Sequence, residues 1–141
     1  MTATPPDVST IDREYVGEPH TLRWVRRDVV DWLNEVRADR ETTERAALIA
    51  SELATNAVQV APGVLYQLRA RAMTRTTAAI AIRSRSAGAV PPPRASWRPV
   101  DELAIRGRGL SIVQALSDEV TVETDGDDVV VTASFRIVSA R

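Results

Sequence analysis

The stretch that most constrains this chain runs from about Thr42 to Val60. Its apolar residues Ala46, Ala47, Leu48, Ile49, Ala50, Leu53, Ala54, Ala57 and Val58 cover so much of a helix that the element must be largely buried. Inside it lies Ser51-Glu52-Leu53-Ala54-Thr55-Asn56-Ala57, which sets the carboxylate of Glu52 and the carboxamide of Asn56 four residues apart, on one helix face. Buried polar groups require partners. The plainer account is that both side chains find backbone partners or sit at the edge of the apolar stripe. The sharper one is that Asn56 offers an oxygen to a magnesium ion while Glu52 orients or deprotonates a hydroxyl or water. The pair alone does not choose between them.

A second motif bears on the choice. Gly107-Arg108-Gly109-Leu110 stands directly before a run in which Leu110, Ile112, Val113 and Leu116 recur at helical spacing. Glycines that open a helix let a ligand approach the backbone closely, and the free amides of the first turn with the positive end of the helix dipole favour an anion such as phosphate. With both motifs in this order, the chain resembles the GHKL ATPases, most closely their short branch of anti-sigma-factor serine/threonine kinases. The first box of that family is similar to Glu-Leu-x-x-Asn-Ala at 52–57, and its last glycine box to Gly-Arg-Gly-Leu at 107–110. The approach to the first helix, Tyr15-Val16-Gly17-Glu18-Pro19 and then the Arg-rich segment to Trp32-Leu33, is also similar. The resemblance spans residues from about 13 to 136.

Composition narrows the classes further. A chain of 141 residues suits one domain with its own core. The formal net charge of −1 gives no overall attraction to nucleic acid or to an anionic membrane, so neither is expected as a direct partner. There is no cysteine, hence no disulfide framework, thiolate zinc site or cysteine nucleophile. No apolar run reaches transmembrane length, and the first residues lack the basic and hydrophobic regions of a signal peptide. A cytoplasmic protein is the expectation.

Along the chain, residues 1–10 are expected to form a disordered tail and 11–141 a single domain. Ile11 to Val16 fits a short edge strand. Pro19 suits the first position of a helix whose apolar stripe is Leu22, Val25, Val29, Trp32, Leu33 and Val36, with Arg23, Arg26, Arg27 and Asp31 on the other side. His20 reads as a surface residue. After a polar break at Arg37 to Glu41 the Glu52/Asn56 helix begins at about Thr42, and Pro62-Gly63 ends it. Val64, Tyr66, Leu68 and Ala70 alternate with polar residues, as do Ala78, Ile80 and Ile82, so two half-buried antiparallel strands are predicted. Val120, Val122 and Thr124 mark a third strand. The turn at Thr124 to Asp128 leads into a fourth, from Val129 to Ile137. The fold class predicted is α+β: a two-layer sandwich with helices on one face of a mixed, mostly antiparallel sheet, the ATP-binding fold that the resemblance also implies.

Ser84 to Arg106 is a long connection carrying Pro91-Pro92-Pro93, Trp97 and Pro99. In the resembled family this region covers ATP, and Arg83, Arg85, Arg94, Arg98, Arg106 and Arg108 would suit a polyphosphate. One box differs. Where the family carries an aspartate that reads adenine, followed by glycine two positions later, Ser86-Ala87-Gly88 keeps the spacing with serine. If Ile80 and Ile82 face the core and nucleotide, Ser84 and Ser86 continue that face and Arg85 points away. The histidine that the family carries near the end of its first box is replaced by Val60.

The resemblance implies ATP and magnesium as cofactors, with Asn56 on the metal and Glu52 as catalytic base. Ser86, Gly88, Gly107, Arg108, Gly109 and Leu110 would contact nucleotide. It further implies a homodimer that phosphorylates an anti-sigma antagonist and sequesters a sigma factor. The second function class is a regulatory binding module of the same fold, with weak or no nucleotide binding and no kinase activity. Intact Glu52 and Asn56 favour the first class; the missing aspartate favours the second.

Overall fold

The structure is a computed structural model that describes residues 10–85 and 109–140. Strictly alternating burial builds its sheet. In β2 (Leu65–Ala72) the residues Tyr66, Leu68, Ala70 and Ala72 are buried, and in β3 (Thr77–Arg85) Ala78, Ile80 and Ile82 are. β5 (Asp128–Arg136) repeats the pattern with Val129, Val131, Ala133 and Phe135. Two further strands, β1 (Thr10–Val16) and β4 (Glu119–Asp125), take the edges, so among the described residues the order across five strands is β1-β2-β3-β5-β4. All four pairings among the described residues are antiparallel, where the sequence reading expected a mixed, mostly antiparallel sheet. The hairpin joining β4 to β5 turns through Gly126-Asp127, and Gly126 has φ 63°, a conformation glycine adopts without penalty.

Among the described residues, three helices cover one face. A single 3₁₀ turn (Pro19–Thr21), opened by proline, runs into α1 (Leu22–Glu35), which buries Val25, Val29, Trp32 and Leu33. α2 (Arg40–Val60) is the central helix, packed against α1 on one side, α3 (Gly109–Leu116) on the other and β3 beneath. Trp32, Phe135, Leu33, Ile49, Leu53 and Ile80 fill the space between the layers, and burial of such side chains supplies about 1.5–3 kcal/mol each. The α+β sandwich expected from the sequence is the architecture observed.

Three local details differ from the sequence reading. α2 starts at Arg40, ahead of Thr42, because Asp39 caps it: its carboxylate accepts the Thr42 amide at 2.8 Å. The break between α1 and α2 is correspondingly short. Arg37 closes α1 in the left-handed region (φ 63°), with Ala38 N–H bonded to Leu33 O at 3.0 Å and Arg37 N–H to Asn34 O at 3.1 Å. Val64 lies outside β2 and is 40% exposed, and Leu48 on α2 is 42% exposed.

Two clusters hold the start of the chain against the rest. The Tyr15 hydroxyl donates to Asp28 on α1, and its ring lies 5.5 Å from that of Tyr66, whose hydroxyl meets Thr21 Oγ1 at 2.9 Å. Burial, reinforced by the Asp28 carboxylate, pushes the Tyr15 phenol well above its ordinary range, so it remains a donor. At the corner between β1 and α1, Gly17 O accepts the Gly63 amide at 2.8 Å.

Candidate functional site

The site grows from the face of α2 that its neighbours leave open. Leu48, Glu52 and Asn56 recur at four-residue spacing there, Leu48 exposed and the two polar residues half-buried. Neither Glu52 nor Asn56 has a side-chain hydrogen bond among the described residues, whereas their neighbour Thr55 satisfies its hydroxyl locally, donating to Ser51 O at 2.7 Å. Of the two arms of the plainer account, the second is the one found: both side chains sit half-buried at the edge of the apolar stripe, an arrangement that also leaves their polar atoms open to a ligand. Leu48 was the residue the sequence assigned wrongly. Its spacing from Glu52 carried the signal, since an i,i+4 neighbour of two available polar groups lies on the same open face.

Tertiary packing brings the helix that contains the last two residues of the second motif, Gly109 and Leu110, to α2. α3 begins at Gly109 and lies beside α2, with Val113 fully buried. Gly109 and Leu110 thus form the first turn of a helix next to the one carrying Glu52 and Asn56, about fifty residues earlier in the chain. Gly107 and Arg108, like Ser86 and Gly88, lie outside the described residues. So do Arg94, Arg98 and Arg106.

β3 supplies the floor. Ile80 and Ile82 are buried on the helix side, Ser84 continues their parity half-exposed, and Arg85 points away, as alternation requires. Arg85 Nε lies 3.6 Å from Asp128. Arg83 shares that outer face, its guanidinium donating to Asp128 and Asp125 at 3.1 Å each. These hydrogen bonds hold the Arg83 guanidinium even more firmly protonated than usual. Both arginines are therefore engaged by the β4–β5 hairpin on the side of the sheet opposite α2. That corrects their assignment to a polyphosphate: a period of two along β3 sends every second side chain away from the helices.

Among the described residues, no three His, Cys, Asp or Glu side chains cluster as metal ligands. A divalent cation here would depend on few protein oxygens. The carboxamide oxygen of Asn56, with the Glu52 carboxylate one turn away, fits magnesium, which takes hard oxygen ligands, keeps several waters and commonly uses one or two protein groups plus substrate phosphates. His20 stands at the surface, its Nδ1 3.8 Å from Glu18, away from any such cluster. No helix among the described residues is long and apolar enough to cross a membrane.

Comparisons with known proteins agree with this arrangement. A family profile described as the histidine kinase-like ATPase domain matches residues 16–135, a span that includes both motifs. Among solved structures, the crystal structure of the RsbU and RsbW domains of Rv1364c from Mycobacterium tuberculosis is similar in fold, with a TM-score of 0.69 at 19% sequence identity. The match covers 94% of this chain and 34% of that one, so this chain corresponds to about a third of its length. No curated protein matches the sequence. With most of its length matched by one family profile, the chain belongs to the histidine kinase-like ATPase domain family.

Proposed function

We propose that this protein is an ATP- and magnesium-dependent serine/threonine kinase of the anti-sigma type, a cytoplasmic regulator whose substrate is a small anti-sigma antagonist and whose second partner is a sigma factor. The observation that carries the reading is the pair Glu52 and Asn56, half-buried on α2, with no side-chain hydrogen bond among the described residues and beside the helix that Gly109 opens.

Each residue has a distinct part. Asn56 would hold magnesium through its carboxamide oxygen, and the ion supplies charge neutralisation on the phosphates when bound. The amides opening α3 at Gly109, together with Gly107, would bind phosphate oxygens. Glu52 would accept the proton of the incoming serine or threonine hydroxyl as its oxygen bonds to the γ-phosphorus and the bond to the ADP oxygen breaks. Ser86 and Gly88 would stand at the base of the nucleotide, with Arg108 and Leu110 beside its phosphates.

A second reading is supported by Ser86 itself. A neutral hydroxyl replaces the carboxylate expected to read adenine, which suits a regulatory module with weak nucleotide binding and no transfer. Calorimetry of the purified protein with ATP, with and without magnesium, separates the two. Magnesium-dependent binding supports the kinase, and its absence at millimolar ATP supports the module.

A further inference from the structure

At the start of α2, a distance of ~25 Å along the helix from Asn56 at 1.5 Å per residue, lies a cleft that the nucleotide site does not use. Its walls come from three stretches: the link between α1 and α2, the turn joining β2 to β3, and the segment that follows β5. Backbone hydrogen bonds fix these stretches to one another. Ala140 N–H donates to Arg37 O at 2.8 Å, Asp39 N–H to Val138 O at 2.7 Å, and Ile137 N–H to Thr76 O at 2.8 Å. The cleft has a volume of about 380 Å³, which falls among small-molecule pockets. Val36, Ala72 and Ile137 give it apolar surface, and Arg37 and Arg75 line it as well.

Among the described residues, neither arginine has an ion pair or a side-chain hydrogen bond, and no acidic residue lines the cleft. The cleft at the ends of β2 and β3 differs in this respect: there Arg83 and Arg85 share the lining with Asp128, which engages both. Two unpaired guanidinium groups in one cleft repel each other, and walls of one sign focus the field on an incoming anion. Arg37 carries a second mark. Its φ of 63° is the left-handed conformation that glycine adopts freely at a helix end and other residues adopt at a cost. A cation there suits the dipole of α1, whose last turn has no basic residue. That accounts for a positive charge near the helix end, but not for a second free arginine beside the same apolar surface. An arginine kept where glycine would be unstrained points to a use for its side chain.

We propose that this cleft binds a small amphiphilic anion, a carboxylate or phosphate on a short apolar body. Arginine suits either head group, because its planar fork sets two N–H donors against two oxygens. Ser139, also on the lining, offers a hydroxyl donor. Val36, Ala72 and Ile137 take the apolar body, whose burial adds affinity with each methylene. An anion seated with Arg37 and Arg75 relieves their mutual repulsion, so the charge and the apolar surface select the same class of ligand.

The test needs no nucleotide, so it stands or falls apart from the kinase reading. NMR titration of the whole chain with hexanoate and with hexyl phosphate should give saturable shifts at the amides of residues 36–38, 72–76 and 137–140, with at least one dissociation constant below about 10 mM. The probe that binds more tightly identifies the head group. Inorganic phosphate and hexanol each lack one half of the ligand and should bind about fivefold more weakly or less. Arg37→Gly and Arg75→Gln should each weaken binding by about fivefold or more. Arg37→Gly should also keep or raise the urea unfolding midpoint, because glycine relaxes the left-handed position. Absence of saturable shifts at these amides with either probe overturns the proposal. So does binding that survives both substitutions, or inorganic phosphate or hexanol binding as tightly as the whole amphiphile. A midpoint lowered by Arg37→Gly would make Arg37 a structural residue and overturn it too.

Discussion

Glu52 and Asn56 lie one helical turn apart on the open face of α2, each half-buried, and neither side chain has a hydrogen-bond partner among the described residues. A structural pair would be expected to satisfy itself, as Thr55 does through Ser51 O at 2.7 Å. Polar groups open to solvent on one helix face are what a ligand site requires.

Asn56→Ala should therefore leave the fold unchanged, because alanine favours the helix, while removing the oxygen proposed for magnesium. Magnesium-dependent nucleotide affinity should fall at least about tenfold, roughly 1.4 kcal/mol. Calorimetry that finds equal affinities for variant and parent, with and without magnesium, would rule out the metal role.

Glu52→Gln keeps size and hydrogen bonding but does not take up the proton. ATP affinity should stay within about twofold, and transfer to an antagonist should fall by about 10²- to 10⁴-fold. Radiolabelled phosphate transfer is the measurement, and transfer at the parental rate would leave Glu52 a structural residue.

At the adenine position, an ionised acceptor makes a hydrogen bond roughly twice as strong as a neutral one, so Ser86→Asp should tighten ATP binding by about 1 kcal/mol, several-fold. Discrimination against GTP should sharpen. Arg85→Asp should give no gain, since Arg85 sits on the opposite face of β3 near Asp128. If Ser84→Asp improves binding instead, the adenine position lies one strand repeat earlier.

A fourth prediction concerns the corner that joins β1 and α1 to the end of α2. A Cβ on Gly17 would lie 2.6 Å from Val64 O and 2.9 Å from Ala61 O, both backbone atoms that have little room to yield. Gly17→Ala should cost about 1–3 kcal/mol, the range for overpacking. Urea unfolding should show a lower midpoint at an unchanged slope, and an unchanged midpoint would mean that the corner relaxes freely.

The α2 cap makes stability depend on acid. Hydrogen bonds from Thr42, first its hydroxyl and then its amide, hold the Asp39 carboxyl below its ordinary value of 3.8. A depressed folded-state pKa stabilises the protein above the unfolded value and loses that contribution as pH falls through the folded one. Asp39→Ala should lower the unfolding midpoint near neutrality and flatten the decline between about pH 5 and pH 2. An acid profile identical to that of the parent would show that the cap contributes nothing.

Much of this architecture follows from sequence-local physics. Alternation at Tyr66, Leu68 and Ala70 and at Ala78, Ile80 and Ile82 requires half-buried strands whatever they pair with, because side chains on a strand repeat every second residue. The apolar surround of Glu52 and Asn56 requires a buried helix carrying both on one face, and glycine at 126 permits the tight hairpin. Other features depend on partners distant in the chain. Only the sheet order places β5 between β3 and β4, and so turns Arg83 and Arg85 toward Asp125 and Asp128 and away from the helices. Only the packing of α3 against α2 sets Gly109 beside the Glu52/Asn56 helix. The residue types and their spacing fixed which groups can share a face. Which faces meet was decided by burying all the apolar surfaces together, a condition that no local segment satisfies alone.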